Sequence, residues 1–255
     1  MLLTIDIGNS NIVLGVFDGD NLLETWRIET NKSGDVGHYV TQLTDALGEN
    51  LKQINSVMIG SVVPELDKTF RDISKELFNK EPIFADTTLD TGLKDLSCTP
   101  SELGADRLAD IVAATILYPG KSIVIDLGTA IKFEAVSEDK EYLGGAISPG
   151  IGVSFKALIK GASKLEDFEL RNPTTSLGTD TAGQLNSGFV LGFASMISGM
   201  IAKMKRELEW EECNIIGTGG FIELIAPNVP ELTEVNKQLT LEGLRLLWER
   251  NEKIV

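Results

Sequence analysis

Histidine and cysteine are nearly missing from these 255 residues: His38 stands alone, and Cys98 and Cys213 are the two thiols. One imidazole gives a single candidate for a histidine base or metal ligand. It lies in the polar stretch Gly37-His38-Tyr39, which reads instead as the start of a surface helix. Two thiols far apart and outside any Cys-x-x-Cys spacing exclude a disulfide framework and a structural zinc, and both read as small apolar residues. Positive charge is scarce as well. Against 38 Asp and Glu there are 23 Lys and Arg, a net charge of −15, and the basic residues are scattered. Such a surface does not attract nucleic acid or an anionic membrane, and neither is expected as a partner. No uninterrupted apolar run of about 18 residues, the length of a membrane helix, is found. The start Met1-Leu2-Leu3-Thr4-Ile5-Asp6 meets a charge too early for a signal peptide, so a cytoplasmic location is expected.

What is present is apolar material for a core, 42% of the chain, and an internal repeat. Read without gaps at an offset of 120 residues, Thr4-Ile5-Asp6-Ile7-Gly8-Asn9-Ser10-Asn11 and the following Ile12 to Phe17 match Val124-Ile125-Asp126-Leu127-Gly128-Thr129-Ala130-Ile131 and Lys132 to Val136. Each copy reads as a strand ending in Asp-x-Gly, a tight turn, a second strand, a polar turn and a third strand. Apolar strands at 57–60, 83–85 and 214–216 alternate with helical patterns at 37–47, 64–78, 153–165, 181–208 and 241–250. Thr99-Pro100-Ser101-Glu102 has capping-box spacing ahead of a helix reaching about Tyr118. The expected class is α/β, and the duplicated unit resembles the ribonuclease H-like, actin-like ATPase fold, with two mixed sheets flanked by helices. Its halves are expected at 1–118 and 119–255, with a nucleotide cleft between them.

An acidic protein that handles nucleotide must hold phosphate by local means. In the first turn Gly8 lets backbone approach an anion, Asn9, Ser10 and Asn11 supply donors, and Asp6 can hold a hydrated magnesium ion. Asp126, Gly128 and Thr129 repeat the logic. Two phosphate turns related by duplication are the arrangement of the actin, hexokinase and Hsp70 class. Gly217-Thr218-Gly219-Gly220, between a strand and a helix, suits backbone passing flat against adenosine.

In this order Asp6-Ile7-Gly8-Asn9-Ser10-Asn11, Gly104-Ala105-Asp106-Arg107, Asp126-Leu127-Gly128-Thr129, Gly144-Gly145-Ala146-Ile147-Ser148-Pro149-Gly150 and Gly217-Thr218-Gly219-Gly220 resemble the successive motifs of the type III pantothenate kinases. The likeness runs over nearly the whole chain. It implies phosphorylation of pantothenate from ATP, the first step of coenzyme A biosynthesis, by a phosphotransferase with an alcohol acceptor. Asp106 would be the general base. Gly104, Ala105, Asp106, Arg107 and Thr181 would contact pantothenate. Asp6, Ile7, Gly8, Asn9, Ser10, Asn11, Ile12, Val13 and Thr129 would bind ATP, with Mg2+ held by Asp6 through water. Asp126 would hold a monovalent cation, K+ or NH4+, and the molecule would be a homodimer.

The second turn departs from the family pattern Gly-Thr-Ala-Thr-Thr-Phe-Asp: here it reads Gly128-Thr129-Ala130-Ile131-Lys132-Phe133-Glu134. Lys132 lies across the turn from Asp126, and its ammonium is the hypothesis for what replaces the family's cation. Thr99-Pro100 replaces the usual Asn-Pro, and Asp35 to Tyr39 lacks the usual acidic pair. Two alternatives follow: a catalytically weakened ATP-binding regulator, or a kinase for another small hydroxyl or carboxylate acceptor.

Overall fold

The computed structural model describes residues 1–96, 99, 102–162 and 168–254. The chain forms two compact units, Met1–Ile116 with Gln238–Val255, and Leu117–Lys237. The first holds β1 (Leu2–Ile7), β2 (Asn11–Asp18), β3 (Asn21–Glu29), α1 (Val36–Leu47), β4 (Ser56–Ser61), α2 (Pro64–Phe78), β5 (Ile83–Phe84), the short β6 (Asp95–Leu96) and α3 (Ala105–Leu117). The second holds β7 (Ser122–Leu127), β8 (Ala130–Val136), β9 (Glu141–Pro149), α4 (Ile151–Gly161), α5 (Thr181–Asn186), α6 (Gly192–Glu207), β10 (Asn214–Thr218), α7 (Ile222–Ile225) and β11 (Glu234–Val235). The last helix, α8 (Leu239–Asn251), belongs to the first unit.

Both sheets are mixed and built alike. In the first the order is β3-β2-β1-β4-β5, with β1, β2 and β3 antiparallel and β1, β4 and β5 parallel. Among the strands of the second unit the order β9-β8-β7-β10-β11 repeats it, antiparallel and parallel pairs alike. β1 and β7 share one burial pattern, four buried residues, a half-buried aspartate and a buried Ile or Leu. Strands covered on both faces read as near-continuous apolar runs, which is why 2–7 and 122–127 do.

Strand pairing refines the repeat. Ile7 pairs with Ile12 in the first unit and Leu127 with Ile131 in the second, so the second turn is one residue shorter. Beyond it the equivalence is an offset of 119, with Lys132 matching Val13 and Glu134 matching Gly15. A register shift between Val16 and Phe17 recurs between Ala135 and Val136, at that same offset. The ungapped reading is corrected here, since strand pairing is not visible in a string of letters.

Each unit has its own core. Leu3, Ile5, Ile12 and Leu14 pack with Leu43 and Tyr39 of α1 and Phe70 of α2. Ile123, Ile125, Ile131 and Phe133 pack with Val190, Ile197 and Ile222. α2 begins at Pro64, as its fixed φ favours, and ends on Asn79 in the left-handed region. Sequence placed the last helix with the second half, but Leu241 and Leu244 of α8 pack against Gly15 and Gly60 of the first sheet. Gly243 permits this: a side-chain carbon there would lie 2.0 Å from Ala109 O, so α8 crosses α3 at backbone contact.

The expected helix 181–208 is continuous from Thr181 to Glu207 through a π-helical stretch, Ser187–Leu191. By length and composition it could cross a membrane, with mean hydropathy 1.5 in its most apolar window and 28% of that window buried. Glycines, serines and alanines interrupt its apolar residues, which is why no unbroken run shows in the letters. The capping box at 99–102 and the end of the helix expected at 153–165 fall partly outside the described residues, as does Cys98. His38 is exposed in the first turn of α1, its N–H donating to Asp35 Oδ1 at 2.9 Å.

Candidate active site

In the first unit the turn 8–10 joins two strands whose pairing places Asp6 opposite Val13 on one side and Gly60 on the other. Gly8 N–H donates to Asn11 O at 3.0 Å, and a side-chain carbon on Gly8 would meet that oxygen at 2.9 Å. The end of β3 buttresses the turn. Thr30 Oγ1 donates to Gly8 O at 2.7 Å, and Thr30 N–H donates to Ser10 O at 3.1 Å. Asn9 and Ser10 remain exposed, and Lys32 Nζ donates to Asn9 Oδ1 at 2.7 Å.

The start of α3 comes to the same edge of this sheet. Val62 N–H, just past β4, donates to Ile7 O at 3.0 Å, and a side-chain carbon on Gly104 would lie 3.3 Å from Val62 Cγ1. One on Gly60, opposite Asp6, would lie 3.7 Å from Ala105 Cβ. The half-buried Asp106 is held by its own backbone, Oδ1 accepting from Arg107 N–H at 2.7 Å. Asp6 and Asp106 thus stand at the carboxyl ends of β1 and β4, where open α/β sheets bind ligands.

In the second unit Asp126 pairs across the strands with Lys132, and Lys132 Nζ lies 2.5 Å from Asp126 Oδ2 with the two side chains only 12% and 14% exposed. The same carboxylate lies between two glycine turns. A side-chain carbon would sit 3.4 Å from Asp126 Oδ1 on Gly128 but 2.4 Å on Gly219, whose φ is +92°. Thr129 is exposed, its carbonyl accepting from Gly150 N–H at 3.0 Å. Phe221 N–H, beyond Gly220, donates to Leu127 O at 3.2 Å. Beside these turns opens a cavity of about 560 Å³ lined in part by Gly152, Phe155, Phe168, Gly220, Phe221 and Leu224. Its aromatic walls and exposed glycine backbone suit a flat, apolar-faced ring.

The structure therefore brings together Asp6 to Val13 with Gly104 to Arg107, and separately Asp126, Thr129, Lys132 and Gly217 to Gly220. Thr181 is exposed in the first turn of α5, where Asp180 Oδ1 caps the helix by accepting from Gly183 N–H at 2.7 Å. Sequence reasoning missed Thr30, Lys32 and Phe221. None belongs to a motif with its own chemistry, and only pairing and packing carry them to the turns. Among the described residues no group of three or more His, Cys, Asp or Glu could hold a metal ion. Cys213 is a free, half-buried thiol whose pKa is pushed up by burial.

Comparison with known proteins agrees with this geometry. The family model described as Type III pantothenate kinase matches residues 2–203. A Type III pantothenate kinase of Roseiflexus sp. (strain RS-1) is 42% identical over 254 residues, covering 98% of this chain and 99% of the relative. One from an Exiguobacterium species is 40% identical over 256 residues, covering 99% and 100%. Among solved structures, the ROK hexokinase from Thermus thermophilus aligns with a TM-score of 0.53 at 15% identity, covering 100% of this chain and 99% of that one. That likeness concerns the fold alone, which is the actin-like ATPase fold. On the family match and the full-length relatives, the chain belongs to the type III pantothenate kinase family.

Proposed function

We propose that this chain transfers the γ-phosphoryl group of ATP to the primary hydroxyl of pantothenate, with Asp106 as general base. The observation that carries the reading is the placement of Asp6 and Asp106 at adjacent strand ends of one sheet, joined through Gly60, Val62 and Ala105. The Arg107 N–H aims the Asp106 carboxylate. That carboxylate takes the hydroxyl proton as the oxygen–phosphorus bond forms and the bond to the ADP oxygen breaks. Gly104, Ala105, Arg107 and Thr181 hold pantothenate, Arg107 through its planar donor fork. The turn Asp6 to Val13 and Thr129 hold the phosphates, and the adenine ring enters the cavity beside Phe221. Magnesium would reach Asp6 through water and screen the phosphate charge. The family match does not favour the regulatory or altered-acceptor alternatives.

For the monovalent cation the residues present do not fit. The carboxylate expected to hold it is already paired with Lys132 Nζ. We infer that Lys132 supplies this charge, so that exchanging K+ for Na+ changes neither nucleotide affinity nor turnover. A steep rise with K+ or NH4+ would refute it. A homodimer is supported by the apolar, little-buried helix 181–207, and sedimentation analysis would test it. A cytoplasmic location is supported by the free Cys213, since thiols persist unpaired in reducing compartments.

The deciding experiment is ATP consumption with and without pantothenate, using Asp106→Asn as the comparison. Turnover should require pantothenate and fall by roughly 10²–10⁴ in the variant, the usual worth of positioned proton transfer. Equal turnover by the two proteins would remove Asp106 from the reaction.

A further inference from the structure

The protein carries a net charge of −15, and a polyphosphate tail approaching it is repelled unless cations stand beside the glycine turns. In the second unit the lysine at the turn is engaged by Asp126. In the first, Lys32 holds the turn by an amide oxygen, Asn9 Oδ1, and not by a carboxylate. An ammonium has three donors and Asn9 takes one of them.

Lys32 is not an ordinary surface lysine on a loose loop. Its backbone is fixed by the two residues before it. Thr30 is bonded twice to the glycine turn. Asn31 N–H donates to Tyr39 Oη at 2.9 Å, and Tyr39 Oη donates back to Asn31 O at 2.9 Å. Tyr39 is fully buried against Leu43 and Phe70 in the first core. Gly34 completes the bend: its N–H donates to Asn31 O at 2.8 Å, and a side-chain carbon there would lie 2.7 Å from the Tyr39 ring. A buried hydroxyl therefore pins Asn31 and the phosphate turn pins Thr30, the two residues that lead into Lys32. The side chain above remains exposed.

We propose that Lys32 is a nucleotide-phosphate-binding residue, whose ammonium bonds the phosphate oxygens held by the first glycine turn. The inference rests on the kinase reading above for its ligand, and the probe chosen keeps the two separable. The nucleotide tail and a free polyphosphate share this chemistry, so inorganic tripolyphosphate reports the contact without catalysis.

The test uses the full chain with Lys32→Ala and Lys32→Arg. With Lys32→Ala, tripolyphosphate binding measured by calorimetry should weaken roughly tenfold, the scale of one charge-assisted hydrogen bond at an exposed site. The KM for ATP should rise by the same factor while the KM for pantothenate and the melting temperature stay unchanged. Lys32→Arg should restore most of the affinity. Unaltered tripolyphosphate binding in Lys32→Ala would overturn the proposal. So would a joint loss of melting temperature and both KM values, which marks a purely structural lysine. Failure of the unsubstituted protein to phosphorylate pantothenate counts against the kinase reading alone, because the tripolyphosphate titration still decides Lys32.

Discussion

In the first glycine turn the residue paired with Asp6 is Val13; in the second the residue paired with Asp126 is Lys132. The surrounding strands are equivalent to the point of sharing a register shift, so the difference lies in the turns themselves. The first is one residue longer, exposes Asn9 and Ser10, and takes its lysine from outside the repeat, beyond β3. The second takes its lysine from within the repeat and seats the carboxylate against Gly219. Duplication supplied two similar backbones, and the placement of one cation separated their chemistry. In the proposed reading the first receives the phosphates and hydrated magnesium, whereas the second carries its own counter-charge.

The harshest way to break the comparison is Gly219→Ala. A side chain there would lie 2.4 Å from Asp126 Oδ1 and 2.6 Å from Leu127 N at a φ of +92°. Backbone strain and overlap together should cost about 3 kcal/mol or more. Thermal melting checks it, and an unshifted melt would show that the carboxylate can relax away from the turn.

Removing the counter-charge comes next. Lys132→Thr leaves Asp126 with little solvent and no ammonium at 2.5 Å. It should lower turnover about tenfold and destabilise by about 2 kcal/mol, less than the full loss of a wholly buried partner. Potassium should then restore activity in a titration against sodium. No restoration would mean that the lysine is a local structural pair only.

A finer contrast sets Gly8→Ala against Gly128→Ala. The first places carbon 2.9 Å from a backbone oxygen, the second 3.4 Å from a carboxylate oxygen. Stability losses of about 1–2 kcal/mol and under about 0.5 kcal/mol are expected, from denaturant midpoints at constant slope. Equal losses would show that the two turns are not packed differently.

The smallest effect is one of pH, beside the first turn. Burial raises the Tyr39 pKa above its ordinary 10.0 because phenolate is disfavoured in the core, with the backbone bond to Asn31 opposing. The unfolded chain therefore releases this proton first as pH rises. The stability contribution is complete below pH about 10 and is lost as pH climbs through the folded value. Tyr39→Phe should flatten that alkaline fall in melting temperature while costing about 1 kcal/mol at neutral pH for the lost hydroxyl bonds. An alkaline slope that persists unchanged in the variant would assign the fall to other groups.

Much of this was legible in the letters. The bounds of α2 were read from Pro64 and a 3.6-residue period, and β1 and β7 from apolar runs ending in Asp-x-Gly. Asp126 and Lys132 were expected to face each other across the turn, and they do. Less visible was anything that depends on strand pairing: the single-residue shortening of the second turn, and the return of Leu241 and Leu244 to the first sheet. The contacts of Leu241 and Leu244 join residues more than a hundred positions apart and leave no periodicity behind.

The sequence by itself determined the α/β class, the duplicated meander and the kinase family, because apolar period, turn chemistry and ordered motifs are all local properties of the chain. Only the tertiary structure decided which residues share a site. Asp106 reaches the edge where Asp6 stands through parallel pairing of β1 with β4, and Lys32 reaches Asn9 because Tyr39 buries its hydroxyl against Asn31. The physical reason is the same in both cases. Backbone hydrogen bonds and core packing must be satisfied across the whole unit at once, and those global demands fix where a locally ordinary side chain comes to rest.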